Sequence, residues 1–354
     1  MKVVIAPDSF KGTIANFEVA HAIAEGWLSV RPLDEVILLP MADGGEGTLE
    51  TIAASQLDAI SVSVTASNHN SWLLLRDGTA IVELARICGI TRLKELDPMR
   101  SHTYLFGQAL QEAALDSRVK RIVATVGGSA STDGGVGALM ALGARFLNEK
   151  GELIQFGGEG LQEIATIDLL GMTPLPIGGV TCLVDVTNPL LGSTGSARIF
   201  SPQKGASADQ VVQLEAGLAH FKKVTGQEDF AGAGAAGGAP FGLSLGWKVN
   251  IESGAMTIAS LIGLPDAIAV ADLVITGEGR LDSQSSFGKV VGTVKQIAEG
   301  QKKKVLYCVG SREEDLGVDG IALVDIAPSI TDAMTNPSKW LNQAATELAG
   351  RIAG

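Results

Sequence analysis

The run "KVVIA", residues 2–6, passes directly into "PDSFKGT", residues 7–13. Val3, Val4 and Ile5 form an unbroken β-branched stretch, the pattern of a strand covered on both faces. Pro7 closes it, and Asp8, Ser9, Lys11, Gly12 and Thr13 crowd into one polar loop. A helix pattern follows. In "NFEVAHAIAEGWLS", 16–29, Phe17, Ala20, Ile23, Ala24 and Trp27 recur at helical spacing, with Asn16 placed as the N-cap.

This grammar of strand, polar loop and helix repeats along the chain. Strands are expected at 35–40, 121–127, 180–186, 271–277, 303–310 and 321–326, and helices at 78–89, 103–115, 211–224, 286–300 and 340–348. The alternation predicts an α/β fold with mostly parallel sheets. The stretch 59–76 differs: "AISVSVTAS" and "SWLLLR" flank "NHN" and read as a hairpin or a pair of edge strands.

A chain of 354 residues exceeds one comfortable core, so two domains are expected. Because the grammar of residues 2–30 returns near 271, the preferred layout builds one domain from 1–65 plus 270–354 and inserts a second, 66–269. A simple split near the middle is the rival. The segment "FAGAGAAGGAPFGLSLG", 230–246, reads either as a linker or as a place of close helix packing, since polar linker residues are scarce in it.

Composition narrows the function. The net charge of -12 disfavours nonspecific nucleic-acid binding, which needs a positive field. Cys88, Cys182 and Cys308 are widely spaced and read as small core residues in a reducing compartment. No run has the length of a membrane helix, and the expectation is a cytoplasmic protein without membrane partners. Nothing in the pattern indicates a homo-oligomer. The 44 glycines, well above the roughly 7% norm, gather at the polar loops.

In doubly wound α/β folds, ligands sit beyond the carboxyl ends of the strands, where these loops fall. In "PMADGGEGT", 40–48, Asp43 and Glu46 bracket glycines that can turn their amides toward an anion. Two carboxylates in one turn call for a cation, although Glu46 also suits the first turn of the next helix. "TVGGSASTDGGVG", 125–137, offers Gly127, Gly128, Ser129 and Ser131 as a phosphate cradle, and Asp133 as metal ligand or N-cap. "DVTNPLLG" places Asp185 at a strand tip and Asn188 three residues on, and "SPQKGAS" supplies Lys204. "ITGEGRLDSQSSFGK", 275–289, holds Glu278, Arg280, Asp282, Ser285, Ser286 and Lys289. Plain ion pairs, Asp8 with Lys11 and Arg280 with Asp282, are the bland alternatives. HExxH and CxxC signatures are missing. Carboxylates, isolated lysines and free amides make a phosphoryl-transfer inventory. A kinase and a phosphosugar isomerase both remain open on these residues, as does a non-catalytic metabolite sensor.

As a set, "VIAPDSFKGT", "LPMADGGEGT", "TVGGSASTDGGVGAL", "DVTNPLLG", "PQKGA" and "ADLVITGEGRLDSQSSFGK" resemble the type-1 glycerate kinase family, in this order and from Val3 to near the C-terminus. The resemblance implies ATP-dependent, magnesium-assisted phosphorylation of D-glycerate, with 2-phosphoglycerate as the usual bacterial product. A 3-phosphorylating kinase or a kinase of another small hydroxy acid is the alternative. It also implies a Rossmann-like domain made from both chain ends, a second α/β domain inserted into it, and an active site in the cleft between them. Within that frame Asp185 is expected to orient the reacting hydroxyl, and Lys11, Arg280 and Lys289 to compete for the acid's carboxylate, with Asp8 beside them. Gly127, Gly128, Ser129, Gly134, Lys204, Asn188 and Asp282 are expected at the nucleotide, and Asp43, Glu46 and Glu278 at magnesium or its waters. The segment "RSHTYLFGQAL", 100–110, departs from the family pattern, with Leu105 and Gln108 in place of a glycine and an acidic residue.

Overall fold

Burial on both faces turns the apolar runs into strands. In the computed structural model, residues 1–56, 58–65, 71–282, 289–313 and 317–353 are described. They form a mixed α/β protein that divides into two compact units. One comprises 1–43, 50–55 and 254–354, the other 44–49 and 56–253. The hairpin strands near residue 60 pair into the sheet of the second unit, whereas the helices at Gly254–Leu261 and Leu264–Ala269 fall within the first.

The unit that contains both chain ends is built on a five-stranded parallel sheet. Its order across the sheet is Gly320–Ala322, Lys304–Val309, Leu273–Thr276, Lys2–Ile5, Glu35–Leu38. The chain winds from Lys2–Ile5 one way to Glu35–Leu38, and from Leu273–Thr276 the other way. Strand order therefore reverses between Lys2–Ile5 and Leu273–Thr276, which opens a crevice at their carboxyl ends. Val3, Ile5, Leu273 and Ile275 pack against the helix Asn16–Val30, which lies on the helix Pro337–Ala353. Gly26 makes that crossing possible: a Cβ there would fall inside the Asn342 carbonyl. An exposed glycine inside a helix costs about 1 kcal/mol relative to alanine. Close packing outweighs it, because Trp27, Ile23, Leu341 and Leu348 are buried at the crossing, each contributing roughly 1.5–3 kcal/mol.

The second unit holds a six-stranded sheet in the order Val249–Glu252, Val180–Leu183, Arg121–Thr125, Thr79–Glu83, Ser71–Leu74, Ile60–Ser63. The first four run parallel, and the last two form the antiparallel hairpin expected at 59–76. The expected turn residues 68–70 lie outside the described residues. Register sets the site. Glu83 is level with Thr125, Thr125 with Leu183, and Leu183 with Glu252. Four strands thus end in one line, and the loops after them rise from a common edge.

Three sequence expectations are corrected. Residues 78–89 are not one helix but the strand Thr79–Glu83 followed by the short helix Leu84–Cys88. The strand is buried throughout, and a short apolar run buried on both faces carries no period that separates strand from helix. The run at 321–326 likewise divides into the strand Gly320–Ala322 and the helix Leu323–Ile326. Asn16 is the first helical residue rather than the N-cap. Its buried amide donates to Met41 O (2.7 Å) and Thr51 Oγ1 (2.8 Å), tying helices and loop together, while Glu18 accepts from the Ala15 N–H at 3.3 Å.

The glycine-rich segment is packed, not a linker. It forms a turn at Ala235–Gly238 and the helix Ala239–Gly246, with Ala239, Phe241 and Leu243 buried. Gly237, at φ +71°, lies directly on the backbone of Ser131 and Thr132, where any Cβ would collide. Among the described residues no helix is long and apolar enough to cross a membrane.

Candidate active site

The crevice of the first unit collects charge. Asp8 follows the strand Lys2–Ile5, Asp43 follows Glu35–Leu38, and Glu278 follows Leu273–Thr276. The Asp8 N–H donates to Gly277 O and the Met41 N–H to Pro7 O, both at 2.8 Å, so the three loops are laced together. Asp8 is 9% exposed. Its Oδ1 accepts from the Ser9 N–H at 2.7 Å. Burial first, and then the Asp43 carboxylate, push its pKa from 3.8 to about 7 against the pull of the Lys11 ammonium and the Ser9 N–H; Glu278 adds to the rise. The Lys11 Nζ reaches Asp43 Oδ2 at 2.9 Å. That carboxylate holds the lysine's pKa above its ordinary value. The ion pair at this loop is therefore Lys11 with Asp43 rather than with Asp8. Arg280 and Asp282 form the expected pair, but at 4.0 Å with the arginine largely exposed, a weak arrangement. Lys289 stands at the start of the helix Val290–Gly300. Ser285 and Ser286 lie outside the described residues.

The second unit presents amides, hydroxyls and one buried ammonium. Lys204 is 3% exposed. Its Nζ donates to Ser129 Oγ at 2.9 Å and to the Ser131 carbonyl. Burial lowers its pKa to about 8, opposed by the Asp133 carboxylate and the Cys88 thiol. Asp133 is buried as well. Its Oδ2 accepts from the Thr103 N–H and Oγ1 at 2.8 Å each, and from the Gly137 N–H at 3.2 Å; its Oδ1 accepts from the Gly135 N–H at 3.1 Å. These bonds hold the N-terminal turns of the helices Tyr104–Leu115 and Val136–Ala141, whose N-cap residues are Thr103 and Gly135 rather than Asp133. The Gly127 N–H donates to Gly44 O (3.1 Å) and the Gly134 N–H to Gly237 O (2.9 Å), and Ile90 donates to Gly128 O (2.9 Å). Ser131 Oγ and Thr132 Oγ1 are buried without a hydrogen-bond partner.

Asp185 stands just beyond the strand Val180–Leu183, half-buried, and accepts from Ser253 Oγ at 2.9 Å. Ser253 follows the neighbouring strand Val249–Glu252. Asn188 Nδ2 donates to Thr194 O at 2.8 Å, which shapes the loop after Asp185. Glu46 is exposed and accepts from Thr91 Oγ1 at 3.2 Å. The first turn after the GGEG loop is instead capped by Glu83, which the sequence reading missed. Glu83 is 1% exposed, and its carboxylate accepts from the Gly47 N–H (3.2 Å) and the Leu49 N–H (2.8 Å). A lone acid inside an apolar run was the available signal, hidden by the assignment of 78–89 to a helix. Desolvation pushes the thiol pKa values of Cys88, Cys182 and Cys308 up to about 12; Cys182 and Cys308 are buried, and Cys88 is half-buried as a residue.

The structure therefore brings Asp8, Lys11, Asp43 and Glu278 together on one sheet, and lines up Glu83, Gly127–Ser129, Asp185 and Ser253 on the other. The sequence matches the glycerate kinase family over residues 3–353. The chain belongs to the glycerate kinase family. It is 38% identical over 333 residues to the glycerate 2-kinase of Escherichia coli K12, with 90% of this chain and 87% of that protein covered. It is 40% identical to a glycerate kinase of Haemophilus influenzae, covering 90% and 88%. A solved structure from Salmonella typhimurium LT2 named for glycerate kinase 2 superposes with a TM-score of 0.80 at 33% identity, over 100% of this chain and 98% of that one. The chain is thus an enzyme, a phosphotransferase of the glycerate kinase type.

The charge cluster makes a stability prediction. Asp8 keeps its proton up to about pH 7 in the fold but only to 3.8 when unfolded. The fold binds the extra proton between these values, so this group's contribution to stability falls as pH rises through that window. Asp8→Asn removes the titration. It should leave the melting temperature at pH 4 nearly unchanged and raise it at pH 8 by several degrees, on the order of 1–4 kcal/mol. Calorimetric scans at the two pH values check this, and an equal shift at both contradicts it.

Proposed function

We propose that the protein transfers the terminal phosphoryl group of ATP to the 2-hydroxyl of D-glycerate. The observation that carries the reading is the common strand edge of the second unit, where Asp185, backed by Ser253, shares a rim with the Gly127–Ser129 loop. A carboxylate acceptor for a hydroxyl proton and a fixed array of amides and hydroxyls for phosphate oxygens are the two parts that phosphoryl transfer needs. The choice of the 2-position is supported by the Escherichia coli relative, whose name specifies it.

In this reading Asp185 accepts the hydroxyl proton, and the Ser253 hydroxyl holds its carboxylate in place. Gly128 and Ser129 face the nucleotide phosphates; Gly127 and Gly134, whose N–H groups donate to Gly44 O and Gly237 O, fix the shape of that loop, with Asn188 shaping the loop after Asp185. Lys204 acts on the phosphates through Ser129 and Ser131. Lys11, Arg280 and Lys289 supply the cations that meet the acid's carboxylate. The unit of both chain ends is read as Rossmann-like, with Asp8 at its switch point.

Magnesium fits the donor set. Asp8, Asp43 and Glu278 bring three carboxylates to the neighbourhood of the Lys11 ammonium; the pKa of Asp8 is raised by burial first and then by the Asp43 carboxylate, with Glu278 adding to it. Among the described residues no group of three or more His, Cys, Asp or Glu is set to hold a metal ion by itself. Magnesium characteristically takes one or two carboxylates together with substrate phosphates and water. Asp43 and Glu278 are the residues that would hold it, and it would neutralise charge on the transferring phosphoryl group.

Incubation with D-glycerate and ATP, followed by NMR of the product, tests the reading. It should yield 2-phosphoglycerate; 3-phosphoglycerate would overturn the regiochemistry, and no turnover would overturn the acceptor. Asp185→Asn should fold normally and lose about 10² or more in kcat. Turnover close to that of the unaltered enzyme would remove Asp185 from its role.

A further inference from the structure

Outside the polar rim, one surface of the second unit carries an aromatic group with no role in the core. Phe156 is 39% exposed, and among the described residues it is the one Phe, Tyr or Trp in the exposed class. It stands beside His102 and Tyr104, both half-buried. The Phe156 and His102 rings are 4.7 Å apart at 31°, and the Tyr104 ring meets Phe156 edge-on at 5.0 Å. His102 Nδ1 accepts from the Tyr104 N–H at 3.3 Å, which leaves the ring proton on Nε2 and makes that edge a donor.

This cluster is fixed to the candidate phosphate loop from two sides. Thr103, between His102 and Tyr104, donates twice to Asp133. Gly158, two residues after Phe156, lies directly against the Thr132 carbonyl. The Glu159 N–H donates to Met99 O at 3.1 Å, and Arg100 pairs with the Glu159 carboxylate at 3.1 Å, so the two supporting segments also hold each other. Ser129 and Thr132 are three residues apart, at most about 11 Å along the chain. Both supports of the aromatic group, at Thr132 and Asp133, thus attach to the same loop as Ser129.

We propose that His102, Tyr104 and Phe156 form a stacking shelf for the purine base of the nucleotide. The inference rests on the kinase reading above and names a subsite within it. Of the two substrates in that reading, only the nucleotide has a flat π face; every carbon of glycerate carries oxygen and offers nothing to stack. Aromatic rings held rigidly at a surface bind a base through its face, and the Nε2 donor of His102 suits a ring nitrogen at the base edge.

Calorimetric titration of the full chain with ADP, and separately with inorganic tripolyphosphate, tests the shelf. Phe156→Ala should weaken ADP binding about tenfold and leave tripolyphosphate binding and the melting temperature unchanged. Phe156→Trp, which restores a flat ring, should hold ADP within about twofold of the unaltered chain, and His102→Ala should weaken ADP alone. ADP binding by Phe156→Ala equal to that of the unaltered chain overturns the shelf, as does equal weakening of both ligands. If the unaltered chain binds tripolyphosphate but not ADP, the nucleotide reading itself falls, and the shelf with it.

Discussion

A buried ammonium and a buried carboxylate hold the loop on which the second unit's chemistry depends. Lys204 reaches back to Ser129 and Ser131, residues 75 and 73 positions earlier in the chain. Asp133 gathers four hydrogen bonds from Thr103, Gly135 and Gly137. Removing each charge from water costs several kcal/mol, and hydrogen bonds to charged groups return roughly 1.5–3 kcal/mol apiece. Such a pair contributes little net stability and a great deal of definition. With the Gly127 and Gly134 amides also bonded, residues 127–137 are over-determined. A rigid array of amides and hydroxyls stabilises developing charge without reorganising when the reaction occurs.

The two units carry complementary chemistry. The crevice of the first is acidic, with Asp8, Asp43 and Glu278 sharing the single ammonium of Lys11. The rim of the second is rich in glycine and serine and has Asp185 as its positioned carboxylate. Phosphoryl transfer calls for both kinds of group: carboxylates suited to a cation, and neutral donors suited to phosphate oxygens. Each unit offers one of these kinds of group. A chain with a net charge of -12 can handle anionic substrates because local donors decide binding at short range.

The sequence revealed the architecture where burial leaves a simple trace. "KVVIA", "RIVATVG" and "ADLVITG" read as strands because both faces are covered, and the loops after them hold the expected polar groups. The same double burial concealed the strand Thr79–Glu83, and with it Glu83, since an apolar run of that length has no diagnostic period. Ser253 and Thr103 were not legible either. Each acts through a partner far away in sequence, Asp185 or Asp133, and only strand register and helix packing bring them together. Asn16 carried the right residue type for a cap, but tertiary contacts with Met41 and Thr51 outweighed the local preference.

The most direct test is hydrogen exchange combined with kinetics on Lys204→Met, which keeps the aliphatic stem and removes the ammonium. The account predicts faster exchange confined to the amides of residues 127–137, a melting temperature within a few degrees of the unaltered enzyme, and kcat/KM lower by about 10², as for loss of an oriented donor set. Unchanged exchange in that loop together with unchanged turnover would contradict it.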